Sequence, residues 1–140
     1  MERVASIIVC LAASLIASGS AAEVVAVVSA QSPLTTLSKD QTVDIFLGKS
    51  SRFPDGTPAV PIDQVEGSAT RDEFYLKFAG KSPAQVKAHW SKIIFTGRGR
   101  PPLDVANGSE VKKRIAENPN AIGYITPELV DKSVKVLPVN

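Results

Sequence analysis
Short β-branched runs alternate with capped helix starts from Val24 to Leu137, and this alternation restricts the fold more than any other feature. Glu23 to Val28 is a short, continuous, β-branched run of the kind that makes a buried strand. Ser38-Lys39-Asp40-Gln41 carries the Ser-x-x-Gln capping box, so a helix is expected from Lys39, with Val43, Phe46 and Leu47 on one face and Gly48 at its left-handed end. Pro54-Asp55-Gly56 marks a turn within the loop from Lys49 to Thr57. Ala59 to Ile62 reads as a short strand whose pairing Pro58 and Pro61 limit. Thr70-x-x-Glu73 forms a second box before Phe74, Tyr75 and Phe78, and Gly80 ends that helix. Ser82-Pro83-Ala84-Gln85 opens a third, with Pro83 at the first helical position.

In that third helix Val86, Trp90, Ile93 and Ile94 predict one buried face. His89, the only histidine, is expected at its edge. Thr96 to Pro102 holds two glycines, two prolines and two arginines and is expected to be a positively charged loop. A helix is predicted over about Glu110 to Glu117, after Asn107-Gly108-Ser109. Ala121 to Ile125 and Val134 to Leu137 read as strands, joined by a helical turn at Pro127 to Val130. Alternation of this kind predicts a single α/β layer domain with a largely parallel sheet.

Met1 to Ala22 is read apart from this domain. Arg3 precedes an apolar run from Val4 to Ala17, and Ser18-Gly19-Ser20-Ala21-Ala22 supplies small residues, which is the layout of a secretory signal peptide cut at Ala22/Glu23. The run is short for a membrane span of ~20 residues. The lone cysteine, Cys10, would leave with the signal, so residues 23–140 can form no disulfide and offer no thiolate. A net charge of +2 is too mild to argue for nucleic acid. A single histidine excludes a multi-histidine metal site.

Chemistry is best supported at Gly67-Ser68-Ala69-Thr70-Arg71. A helix start exposes unpaired N–H groups and the positive end of the dipole, a seat for an oxyanion. Ser68 and Thr70 add hydroxyls, Gly67 permits close approach, and Arg71 can add a bidentate contact. The plainer reading, that Ser68 and Thr70 only cap the helix, accounts for the same residues. Arg98 and Arg100 on the glycine-bordered loop can close over an anion or simply remain solvated, and solvation is the default. No catalytic spacing of acids and no Gly-x-Ser-x-Gly elbow occurs.

Three segments carry a resemblance. Leu37-x-x-Asp40-Gln41-x-x-Asp44-Ile45-Phe46-Leu47-Gly48-Lys49 is similar to the helix ending Ile-Phe-Leu-Gly-Lys of the phosphate-binding proteins of bacterial ABC importers. Glu66-Gly67-Ser68-Ala69-Thr70 stands where that family has Asp-Gly-Ser-Gly-Thr, the helix start that holds phosphate. Asn118 to Ile125 resembles its Thr-Pro-Gly-Ala-Ile-Gly-Tyr-Val segment. The matches run from about Val24 to Ile125. The resemblance implies a single lobe of a type 2 periplasmic-binding-protein-like fold over residues 23–140, exported to the periplasm behind a signal at 1–22. It implies binding of phosphate or a related oxyanion at Gly67, Ser68, Ala69, Thr70 and Arg71, for ABC-type uptake or sensing. No cofactor, metal, nucleic acid, enzyme activity or stable membrane insertion after signal cleavage is expected. An ABC permease or membrane sensor is the expected protein partner, and a ligand-free module docking on such a protein is the alternative. The family's phosphate-contacting arginine, three residues before its Gly-Ser pair, is here Gln64.

Overall fold
The computed structural model describes residues 23–140. The signal reading of Met1 to Ala22 lies outside them. Five strands, β1 (Val25–Ser29), β2 (Val60–Gln64), β3 (Leu103–Val105), β4 (Ala121–Ile125) and β5 (Val134–Val136), form one sheet in the order β3-β2-β4-β1-β5. β2 runs parallel to β3 and β4, and β1 runs antiparallel to both β4 and β5. Four strands therefore share one direction and β1 alone opposes it. The parallel pairs follow from helical crossovers, since strands of one direction cannot be joined by a tight hairpin.

The helices are α1 (Lys39–Phe46), α2 (Ala69–Phe74), α3 (Pro83–Phe95) and α4 (Gly108–Glu117), and α2 continues as a π-helical turn, Tyr75–Ala79. Both reciprocal capping bonds expected at Ser38 with Gln41 and at Ser82 with Gln85 are present. Gly80 closes the π turn at φ 64°. At α2, however, the N-cap is Ser68 and not Thr70. The Ser68 hydroxyl accepts from the Arg71 N–H, which moves the start two residues back and puts Thr70 inside the first turn. α4 likewise starts earlier than expected, because the Asn107 side chain accepts from the Glu110 N–H.

The sheet has a core on each face, and strand alternation sorts the residues. Val24, Ala26, Val28, Ile122 and Tyr124 face α1, α2 and α3, against Phe46, Phe74, Tyr75 and Trp90. Val27, Ala121 and Ile125 face α4, against Val111 and Ile115. Gly123 lets α4 lie close, since a Cβ there would come within 2.6 Å of Val111 Cγ1.

Two further sequence expectations change. β2 is no weakly paired strand: β4 pairs with Val60 and Pro61, and β3 pairs with Ile62, Asp63 and Gln64, so its two partners use successive stretches. The buried face of α3 comprises Val86 and Trp90 with Ile93 at its margin, whereas Ile94 is 56% exposed. Ile94 belongs to the last turn, where the helix borders a hollow shared with Glu66, Arg71 and Lys87.

Candidate functional site
β2 and β3 end side by side, with Gln64 in register with Val105, and each strand leads directly towards a helix start. Ser68 caps α2 and Asn107 caps α4, so two helix N-termini follow the carboxyl ends of neighbouring parallel strands. In open α/β sheets this edge is where ligands bind. Gly67 has φ 94°, a left-handed conformation that suits glycine, and open space lies where its Cβ would project. The N–H groups of Ala69 and Thr70 belong to the first turn and have no carbonyl one turn earlier within the helix. The backbone at this start is therefore approachable.

The side chains of the five candidates divide. The Ser68 hydroxyl donates to Gln64 Oε1 at 3.0 Å while accepting from the Arg71 N–H at 3.2 Å. It is engaged as a cap and as a brace for Gln64. Arg71 turns inward: Nη1 donates to the Gln64 carbonyl at 3.0 Å, and the guanidinium lies 5.7 Å from the Tyr75 ring centroid. Thr70 is half-buried and Ala69 exposed, both on the first turn. Beside Arg71 a hollow of about 240 Å³ carries both signs of charge, with Arg71 and Lys87 against Glu66, Asp72 and Asp104. Lys87 is paired with Glu66 at 3.5 Å.

Beneath this start lies a buried polar network that the sequence reading missed. Asp63 and Gln64 are each 2% exposed. The Tyr75 hydroxyl donates to Asp63 Oδ2 at 2.6 Å, and the Tyr124 hydroxyl donates to Oδ1. The Gln64 N–H donates to Asp63 Oδ1 at 2.8 Å, and Gln64 Nε2 donates to the Tyr124 carbonyl at 3.1 Å. Gln64 thus fills, with a neutral amide bonded at both its oxygen and its nitrogen, the position where the resembled family has its arginine. The available sequence signal was two adjacent polar residues at the end of an apolar strand.

Burial pushes the phenols of Tyr75 and Tyr124 far above their ordinary range, and the negative charge of Asp63 pushes them further. The folded state therefore holds these protons more tightly than the unfolded chain. Stability is fully present below about pH 10 and is lost as pH rises above it, by about 1.4 kcal/mol per pH unit for each phenol. These two are the only tyrosines of the chain. Tyrosinate absorbance should accordingly appear in one step, together with loss of circular dichroism. A tyrosinate step in protein that is still folded would contradict the network.

His89 has the edge position expected of it: its Nε2 hydrogen-bonds the Leu47 carbonyl at 2.8 Å, where α1 ends. Such a ring is occupied in closing a helix end.

The architecture defines a class first: it is one α/β lobe of the periplasmic-binding-protein fold, and the structural neighbours are substrate-binding proteins of phosphate ABC transporters. A Clostridium perfringens structure with bound phosphate, assigned to those transporters' substrate-binding proteins, is similar with a TM-score of 0.62 and 25% identity, over 84% of this chain and 44% of its own. An ABC-type phosphate transport receptor from Vibrio cholerae is similar with a TM-score of 0.66 and 22% identity, over 84% and 46%. PstS from Borrelia burgdorferi gives 0.58 and 17%, over 84% and 47%. The chain thus spans less than half the length of these neighbours. No protein-family model and no curated protein matches the sequence. Among the described residues no helix is long and apolar enough to cross a membrane.

Proposed function
We propose that the protein is an exported, single-lobe solute-binding domain that takes phosphate or a related small oxyanion at the start of α2, in ABC-type uptake or sensing. Residues 1–22 are read as its cleaved signal and residues 23–140 as the domain that works in the periplasm. The observation that carries the reading is the open backbone at Gly67, followed by the free first-turn N–H groups of Ala69 and Thr70 at the ligand-binding edge of β2 and β3. The fold shared with a phosphate-bound neighbour supports the choice of anion. Binding uses the backbone and the Thr70 hydroxyl. Gly67 admits the ligand, Ser68 holds the turn in shape, and Arg71 contributes its charge from its place on the Gln64 carbonyl. No step of covalent chemistry is involved.

The variants separate binding from capping. A hydrogen bond to a charged group contributes ~1.5–3 kcal/mol, so Thr70→Ala should weaken phosphate binding by about tenfold to a hundredfold. Because Ser68 and not Thr70 is the cap, the same variant should melt close to the wild type. Ser68→Ala should instead cost ~1 kcal/mol of stability. Calorimetric titration and thermal melts on the same samples read both effects. Unchanged phosphate affinity in Thr70→Ala would remove the site.

A further inference from the structure
A cavity of about 660 Å³ lies at the other end of β2 and β3, where Val60, Pro61 and Leu103 begin these strands. The carboxyl ends of the same strands carry the α2 and α4 starts, so the two places lie at opposite ends of the sheet. Its volume is in the range of small-molecule sites, ~300–1,000 Å³. Trp90 and Ile93 of α3 contribute apolar wall, and the loop from Arg98 to Pro102 closes one side. Leu103 is 51% exposed and Val60 37%, so apolar surface remains open around it.

The charge is of one sign. Among the described residues Lys49, Arg98 and Arg100 line the cavity and no carboxylate does. The described ion pairs engage Lys77, Lys87 and Lys112, and none of the three cavity cations. Three cations gathered against apolar wall repel one another and favour an anion between them. Trp90 adds an independent sign. The residue is 6% exposed, it stands between this cavity and the hollow beside Arg71, and its Nε1–H meets no acceptor among the described residues. Buried donors are normally paired. The indole is also held in place, because its ring edge packs on Gly48 so closely that a Cβ there would lie 2.7 Å from Trp90 Cη2.

Inorganic phosphate would satisfy the cations and waste the wall, while a neutral hydrocarbon would do the reverse. We infer that this cavity is a second binding site, separate from the α2 start, for a small organic anion with an apolar body, such as an aromatic or aliphatic carboxylate or sulfonate. The apolar body rests against Trp90, Pro61 and Leu103, and the anionic group meets Arg98, Arg100 and Lys49.

Trp90 is the only tryptophan, so its indole N–H gives a single nuclear magnetic resonance signal. Naphthalene-2-sulfonate titrated into nitrogen-15-labelled protein should shift that signal saturably. Neutral 2-naphthalenemethanol should bind about tenfold more weakly or less well still, as expected when a charge-assisted contact is lost. Inorganic phosphate and sulfate should not displace the bound sulfonate, because they take the α2 start instead. Arg98→Ala with Arg100→Ala should weaken the sulfonate by about tenfold or more while phosphate binding stays as in the wild type. Both arginines are exposed, so the variant should fold, and a fall in wild-type affinity with added salt tests the same charges without mutation. The proposal is overturned by no saturable shift up to about millimolar sulfonate, a concentration near the weak end of specific affinity. It is overturned equally by a neutral analogue that binds as well, by salt-independent affinity, by an unaffected double variant, or by phosphate competing for the site.

Discussion

Asp63→Ala should cost ~3–5 kcal/mol of folding stability, the range for removing one partner of a buried charged network. The carboxyl accepts from the hydroxyls of Tyr75 and Tyr124 and from the Gln64 N–H, all within the core. Alanine would leave these donors without their acceptor in a place water does not reach, and unmade buried hydrogen bonds are expensive. The loss would extend to the candidate site, because Gln64 supports both Ser68 and Arg71. Asp63→Asn should lose less, since its carbonyl oxygen can still accept. Urea melts of both variants check this order. A loss below ~1 kcal/mol for Asp63→Ala would contradict the network, since ordinary surface substitutions stay within about half that.

Phe74→Ala should cost a similar ~3–5 kcal/mol through packing. The Phe74 ring stacks on Tyr124 at 4.0 Å with planes 6° apart, and meets Phe46 edge-on at 4.8 Å and Tyr75 edge-on at 5.1 Å. It is the centre of the aromatic cluster that fixes α2 to the sheet. Truncation removes these contacts and opens a cavity that stiff neighbouring rings fill poorly. Domains of this size are stable by only ~5–15 kcal/mol, so the variant should show a much lower urea midpoint. A midpoint close to the wild type would mean that α2 is held by other contacts.

Local patterns were the legible part. The boxes at Ser38 and Ser82 could be read because their donors and acceptors lie within one turn, and β1, β4 and β5 because each is a short run carrying β-branched residues. At α2 two hydroxyl residues stand two positions apart, and the spacing Thr70-x-x-Glu73 suggests a cap that the backbone places at Ser68. β3 was not legible: three residues behind two prolines become a strand only through pairing of Leu103, Asp104 and Val105 with Ile62, Asp63 and Gln64. Asp63 was missed for a related reason. Its partners lie 12 and 61 residues away, so nothing near it in sequence announces a buried carboxyl. The cavity beside Trp90 likewise gathers Lys49, Trp90 and Arg98 from separate segments. Gly67 to Arg71 were named as candidates from sequence, but how their side chains are engaged could not be read there. Ser68 and Arg71 look inward, while the Gly67 backbone and the first turn remain open.

The most direct measurement is the effect of phosphate on backbone amide resonances of the protein, with calorimetry on the same samples. If the start of α2 holds an oxyanion, the amides of Ala69 and Thr70 should shift saturably and by more than those elsewhere, with heat released at matching concentrations. Phosphate at a hundred times its Kd should also raise stability by about 2.7 kcal/mol. No heat and no amide shift with phosphate or sulfate at about millimolar concentration, where even weak specific binding registers, would contradict the account.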